Sequence, residues 1–387
     1  MKRGLTGRFE VSKIAGEEIR AFIPFPLPPD PPLDLSDARQ KLLERAILSL
    51  GRLDSITLLL PDPDLFLYSY VRREAVLSSQ IEGTQSSLSD LMLFELKEAP
   101  GVPVDDVIEV SNYIAALEHG VRRLREGFPF SNRLIKEMHA KLLASGRGSE
   151  KSPGEFRRSQ NWIGGTRPGN AHFVPPPPAY VEDCMAHLEK FIHEEKSPYP
   201  VLIKAALTHV QFETIHPFLD GNGRIGRLII AMLLHQNEII SQPLLYLSLY
   251  FKKNRDEYYR LLDLVRYEGE WEAWIDFFLD GVEQTANGAV TTAQRLVKLF
   301  ESDQEKIKNL KRAAVGAMNV FNTFRARPLL TINEVCKRSG LTFPSASNAI
   351  DNLIRLGIIE EITGRQRNRI FVHKRYLSIM SEGTELL

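Results

Sequence analysis

The stretch "IHPFLDGNGRIGRLII", residues 215 to 230, decides how this chain is read. It opens on a histidine beside a proline, His216-Pro217. It then places Asp220, Gly221, Asn222 and Gly223 in a turn, and sets Arg224 and Arg227 at the head of an apolar run. Gly and Asn tolerate positive φ and close approach, so this turn can direct backbone N–H groups inward. A helix starting near Arg224 adds its unpaired N–H groups and the positive end of its dipole, and the two together make an anion nest suited to phosphate. Arg224 and Arg227 add charge-assisted hydrogen bonds to phosphate oxygens. Asp220 is a hard oxygen ligand of the kind Mg²⁺ takes beside phosphate, and His216 can accept a proton near neutral pH. Taken singly, each part is commoner as a turn tip, a capping histidine or a solvated arginine pair. Their joint order points to phosphoryl or nucleotidyl transfer.

Outward from this stretch the chain reads as mainly helical. Helical spacing of Leu and Ala marks "SDARQKLLERAILSLGRLDSI", "LFLYSYVRREAVLSSQIEG", "SSLSDLMLFELKEA", "DVIEVSNYIAALEHGVRRLREG" and "SNRLIKEMHAKLLAS" before it, and "RIGRLIIAMLLHQNEI" within and after it. A long helix is expected to run through Asp303 and Arg312. The proline-rich start, "AFIPFPLPPDPPLDL", predicts an extended arm up to about Leu35, with Phe22, Ile23, Phe25 and Leu27 to bury. Residues 154 to 178, with Gly-Gly, Pro-Gly-Asn and a proline run, predict a β-hairpin with a wide tip. The end of the chain reads as helix, turn, helix and β-ribbon, the order of a winged helix-turn-helix. The expected division is 1–105, an arm and helical region; 106–285, the catalytic core; and 286–387, a connecting helix and winged-helix domain.

Composition narrows the function classes. The 387 residues, 43% hydrophobic and 25% charged, are ordinary globular composition, enough for two or three domains. Lys+Arg and Asp+Glu each total 49, so no global charge draws the chain to nucleic acid or membrane. Two distant cysteines, Cys184 and Cys336, lack metal-ligand spacing and suit a reducing cytoplasm. The start, MKRGLTGRFEVSK, has no apolar run behind its basic residues, so neither a signal peptide nor a membrane span is expected.

"HPFLDGNGRIGR" matches in full the H-x-F-x-D-G-N-G-R-x-x-R signature of Fic-domain proteins. "EAVLSSQIEGTQSSL" resembles their N-terminal region, with Ser78 to Gly83 fitting the inhibitory [ST]-x-x-x-E-[GN] motif, and "GEFRRSQNWIGG…HFVPPPP" resembles their flap. The resemblance covers roughly residues 22 to 281. It implies a Fic-type helical bundle and a protein adenylyltransferase that moves AMP from ATP to a Ser, Thr or Tyr hydroxyl of a target protein, the chain itself included. By that resemblance His216 is the base and Asp220 holds Mg²⁺. Gly221, Asn222, Gly223, Ile225 and Gly226 belong to the phosphate-binding run, with Asn222 also reaching the α-phosphate, and Arg224 and Arg227 take the outer phosphates. Tyr259 stands where adenine binds, although packing on Leu262 explains Tyr258 and Tyr259 equally well. Gln160, Asn161, Trp162, Ile163, Gly164 and Gly165 form the flap that takes a target segment by strand addition. Ser78 and Glu82 form the inhibitory pair, placed on one helix face, with Glu82 directed at Arg227.

Two alternatives stay open in the sequence. The same base and metal ligand serve transfer of another nucleotide, or removal of AMP. A DNA-binding regulator with a nucleotide-sensing Fic domain is the other, since Arg365, Arg367 and Arg369 alternate in the expected wing and would share one strand face. Winged helices also serve as protein-interaction and homodimer modules, and "PSASNAIDNLIRLG" offers few base-reading side chains, which favours the interaction role.

Overall fold

A computed structural model describes residues 2–14, 17–59, 63–96 and 104–385. The end of the expected third helix, from residue 97 on, lies outside the described residues. In chain order the elements begin with β1 (Gly7–Ile14) and β2 (Glu17–Pro24), an antiparallel pair, followed by α1 (Asp37–Leu59), α2 (Pro63–Ile81), α3 (Leu88–Glu95), α4 (Val104–Arg125) and α5 (Asn132–Leu142). Then come α6 (Pro178–Ile192), α7 (Val201–Ile215), α8 (Asn222–Gln236), α9 (Ser248–Lys253), α10 (Arg255–Glu268) and α11 (Trp271–Lys308). The remainder is α12 (Ala314–Ala326), β3 (Leu329–Thr331), α13 (Ile332–Ser339), α14 (Phe343–Arg355), β4 (Glu360–Glu361), β5 (Ile370–Val372) and α15 (Lys374–Ser381). The chain is mainly α, as the helical spacing predicts.

The described chain divides into two compact units rather than three consecutive blocks. One comprises Met1–Gly51 and Ser111–Ala286, the other Arg52–Val110 and Asn287–Leu387. Each is therefore assembled from segments far apart in sequence, which a left-to-right reading cannot see.

In the first unit α7 and α8 form the centre. From Ala205 to Ile215 every residue of α7 is buried, as is every residue of α8 from Arg224 to Leu234. A helix buried all round loses the apolar stripe of a surface helix, and both sequences are accordingly apolar on more than one face, with His209, Glu213, Arg224 and Arg227 as buried exceptions. His209, Phe251, Tyr258 and Trp274 fill the space beside α7, with Trp274 Nε1 donating to the Ala206 carbonyl at 2.9 Å. The expected extended arm is partly a β-hairpin: β1 and β2 pair from Gly7–Pro24 to Ile14–Glu17. Alternation in "GRFEVSKI" carried that signal, and the prolines that suggested polyproline II begin only at Pro24. Phe22, Ile23 and Leu27 are buried, whereas Phe25 is exposed.

In the second unit α2 lies among α3, α12 and α15. Ser69 Oγ is 2.8 Å from the Tyr376 hydroxyl, Arg73 donates to the Glu382 carbonyl at 2.6 Å and Gln80 to that of Thr384 at 2.9 Å. Phe321, Phe324, Leu330, Val335, Ile350, Leu353 and Phe371 form its core. Thr331 caps α13 by accepting from the Glu334 N–H, Gly340 ends that helix at φ 69°, and the strands run in the order β3-β5-β4. The expected long helix stops at Lys308, and a 3-10 turn at Lys311–Ala313 separates it from α12. The arginine alternation is also corrected. Because β5 begins only at Ile370, Arg365, Arg367 and Arg369 precede it in the connection and do not line one strand face.

Candidate active site

His216 stands where α7 ends. It is the C-cap residue, in the left-handed region at φ 48° and ψ 61°, and its N–H still donates to the Phe212 carbonyl at 2.9 Å. That conformation costs a non-glycine residue roughly 1–2 kcal/mol, so the surroundings must impose it. Proline at 217 keeps His216 out of the right-handed helical region, so α7 cannot continue through it. Arg157 adds to this by donating from Nε to the His216 carbonyl at 2.9 Å.

The loop beyond His216 is closed from inside. Phe218 is fully buried and stacks on the His139 ring with centroids 3.7 Å apart. The Asn222 side chain accepts from the Phe218 N–H and donates to the Phe218 carbonyl, both at 2.9 Å. Both ends of the Asn222 amide thus brace the loop backbone, and the second hydrogen on its nitrogen is the one left to reach an α-phosphate. Gly154 N–H donates to His139 Nδ1 at 2.8 Å, which leaves Nε2 to carry the proton given to the Asp220 carbonyl at 3.0 Å. His209 has the opposite tautomer: Nδ1–H donates to the Gly226 carbonyl and Nε2 accepts from the Tyr258 hydroxyl, each at 2.9 Å.

Burial pushes the pKa of His139 down to about 4 and that of His209 to about 3. Both are neutral at pH 7, which these tautomer-specific bonds require. The native state then binds fewer protons than the unfolded chain between pH 6.5 and those values. This contribution to stability is complete above pH 6.5 and is lost as pH falls through that window, for His139 by on the order of 3 kcal/mol. The thermal midpoint is expected to drop steeply between pH 6.5 and 4, and His139→Gln to flatten that slope; calorimetry across the range checks both.

α8 begins at Asn222, with Gly221 as its cap at φ 76°. The N–H groups of Asn222, Gly223 and Arg224 belong to its first turn, where a helix has no carbonyl of its own to offer them. Gly221 N–H, in contrast, donates to Asp220 Oδ1 at 2.6 Å. Two residues expected in the phosphate-binding run face the core instead. Ile225 is fully buried, with its N–H bonded to the Gly221 carbonyl, and a Cβ on Gly226 would come within 2.3 Å of Glu213 Oε1. Gly226 thus serves close packing between α7 and α8. Arg224 and Arg227 are buried, at 1% and 5% exposure, with Arg224 Nη2 3.4 Å from Asp220 Oδ1.

Asp220 fits a hard divalent cation. Its carboxylate is one-third exposed, and only the absence of a side chain at Gly148 leaves room beside Oδ2, where a Cβ would approach to 2.9 Å. Among the described residues no group of three or more His, Cys, Asp or Glu side chains could hold a metal. A single carboxylate with phosphate oxygens is the set that suits Mg²⁺.

The flap is slighter than the hairpin expected. It holds one bridge, Ile163 to Phe173, around a 3-10 turn at Pro168–Asn170. Asn161 is tied to the loop, donating to the Phe218 and Leu219 carbonyls at 3.0 and 3.3 Å, and Gln160 donates to the Pro175 carbonyl at 2.9 Å. Trp162, Gly164 and Gly165 are exposed. Tyr258 is a core residue; Tyr259 is exposed. The inhibitory pair does not share one helix face. Ser78 is buried within α2, whereas Glu82 lies past its end in an exposed turn closed by Gly83 at φ 102°. Both belong to the second unit.

Three residues of the site escaped the sequence reading. Glu213 Oε2 is 3.9 Å from His216 Nδ1, and its spacing of three residues on α7 was a usable signal. Arg157 stood in "GEFRRSQ", indistinguishable from its exposed neighbour Arg158. His139 had no local signal, since only the fold brings it to Phe218.

Residues 40–122 match the Fic/DOC family N-terminal region, and residues 129–234 match the Fic/DOC family itself. Over these two stretches the chain carries Fic/DOC family sequence. The protein adenylyltransferase Fic of Drosophila yakuba is 31% identical over 209 residues, 53% of this chain and 39% of its own length. That of Drosophila melanogaster is 30% identical over the same shares. The chain therefore spans about two fifths of the length of the curated relatives it matches. A Fic family protein from Desulfovibrio desulfuricans G20 aligns at TM-score 0.55 and 20% identity, over 88% of this chain and 97% of the other. A Fic domain containing signaling protein from Bacteroides thetaiotaomicron VPI-5482 aligns at TM-score 0.52 and 19% identity, over 65% and 97%. At these identities the likeness concerns the fold.

Proposed function

We propose that this chain transfers AMP from ATP to a Ser, Thr or Tyr hydroxyl of a target protein, with its own chain as one acceptor. The observation that carries the reading is His216, held left-handed at the end of α7, six residues before the first turn of α8 with Asp220 between them. His216 takes the proton of the target hydroxyl. The freed oxygen forms a bond to the α-phosphorus as the bond to the bridging α–β oxygen breaks, and pyrophosphate leaves. The first-turn N–H groups of α8 hold the phosphates, and Arg224 and Arg227 answer their charge. Asp220 would hold Mg²⁺, which supplies charge neutralisation when bound. Such transfers depend on position and charge rather than on covalent help. Tyr259 offers a ring to adenine, and the exposed edge at Trp162 and Gly164 takes an extended target segment.

Glu82 restrains the reaction in this reading, by competing with the ATP γ-phosphate for Arg227. The α13–α14 and β3-β5-β4 assembly acts as a winged-helix module for protein contact, homodimers included, in a cytoplasmic protein. DNA binding would instead appear as a salt-dependent mobility shift lost on changing Arg365 and Arg367. Release of AMP from a modified target would reveal the reverse activity at the same site.

Asp220→Asn tests the metal assignment. The amide oxygen can still accept from Gly221 N–H, so folding is expected to change little, while transfer at ordinary Mg²⁺ falls by about a hundredfold or more. Unchanged transfer in a quantitative labelling assay would remove Asp220 from this role.

A further inference from the structure

Arg157 is 3% exposed, and its guanidinium donates to four backbone carbonyls. Nε donates to His216 at 2.9 Å, Nη1 to Ser159 at 3.3 Å, and Nη2 to Pro176 at 2.6 Å and Ile215 at 3.4 Å. Its own N–H donates to the Pro217 carbonyl at 2.9 Å. These acceptors fall into two groups. Ile215, His216 and Pro217 are the backbone that carries the base. Ser159 and Pro176 are the two feet of the flap, directly outside Gln160 and Pro175, which are themselves joined by a side-chain hydrogen bond at 2.9 Å. A buried cation bound to neutral carbonyls is a costly way to brace a loop, and an aliphatic side chain would fill the space more cheaply. What the planar guanidinium adds is a fixed angle among several acceptors at once.

We propose that Arg157 is a positioning residue that keys the flap to the base, so that a segment lying on the flap presents its hydroxyl at the distance His216 requires. This rests on the reading of the site as an AMP transferase. Two movable parts must agree for proton transfer: the edge that holds the target and the ring that takes the proton. The Arg157 guanidinium is bonded to the backbone that carries each of them. Its guanidinium bonds run to backbone carbonyls of this chain, so its loss should change the rate of transfer and leave ATP binding nearly unaltered. Loss of register by about 1 Å costs on the order of a hundredfold. Lysine, with one tetrahedral ammonium, can meet part of this acceptor set but not hold its plane.

The test compares the full chain with Arg157→Lys and Arg157→Ala. Transfer from α-labelled ATP, ATP affinity by calorimetry, and hydrogen exchange over residues 159–176 and 215–221 are measured in each. The expected result is a fall of about a hundredfold in kcat, with ATP affinity within about threefold. Exchange should rise in both segments together, and millimolar guanidinium should partly restore the Arg157→Ala rate. Faster exchange in only one segment, ATP affinity falling in step with kcat, or full activity in Arg157→Lys would overturn the proposal. Should Arg157→Ala fail to fold, Arg157→Lys carries the same comparison. Should the unaltered chain label nothing, the transferase reading fails by itself, and the exchange measurement still decides whether Arg157 couples flap and base.

Discussion

His216→Ala is expected to lower AMP transfer by 10²- to 10⁴-fold, about what a positioned general base contributes. The residue caps α7 with its backbone and is only partly buried, so removing the ring leaves Phe218, Asn222 and the His139 stack in place. ATP affinity should therefore persist while kcat collapses. A variant that loses affinity and rate alike would show instead that the ring supports the loop. His216→Asn is the companion change, because it keeps a polar side chain of moderate size without a proton acceptor of suitable pKa. Equal losses in both variants would place the effect in base chemistry.

Glu82→Gly is expected to act in the opposite direction, raising automodification by about a hundredfold. The reasoning is the proposed competition: a carboxylate on Arg227 would occupy the guanidinium that the γ-phosphate needs and would leave ATP with its α-phosphorus out of line. The gain should appear in the transfer rate more than in ATP affinity. Glu82 is exposed in its turn, so the restraint is weaker than a buried bidentate pair would provide and should relax at high salt. Kinetics of self-labelling at low and high ionic strength check this. A Glu82→Gly chain that labels itself no faster than its parent would remove Glu82 from the regulation.

Much of the first unit was legible because its chemistry is local. His216 to Arg227 spans one turn and one helix start, and glycines, Asn222 and Pro217 each have a conformational reason to be where they are. The apolar character of α7 and α8 likewise announces central helices. Where the reading failed, contacts from distant sequence decided the outcome. Gly226 looked like part of a phosphate loop, yet Glu213 from the preceding helix occupies the space its side chain would need. The sequence did not show that the Asn222 amide also ties the loop, with Phe218 bonded to both its ends. Proline content hid the β1–β2 pairing by suggesting a single extended arm. The second unit joins residues 52–110 to residues 287–387, and no periodicity predicts that Ser69 meets Tyr376. Arg157 shows the same limit from the other side. A buried cation that binds carbonyls from two loops looks, in sequence, like one half of a surface Arg-Arg pair.

The central claim is the identity of the group transferred, and paired labelling tests it most directly. The Glu82→Gly chain is incubated with Mg²⁺ and ATP labelled at either the α- or the γ-phosphate, with a chain also carrying His216→Ala as control. The account predicts protein-bound label from α-labelled ATP alone, stable to denaturation and absent from the His216→Ala control. Protein-bound label from γ-labelled ATP, or α-label that survives His216→Ala, would contradict it.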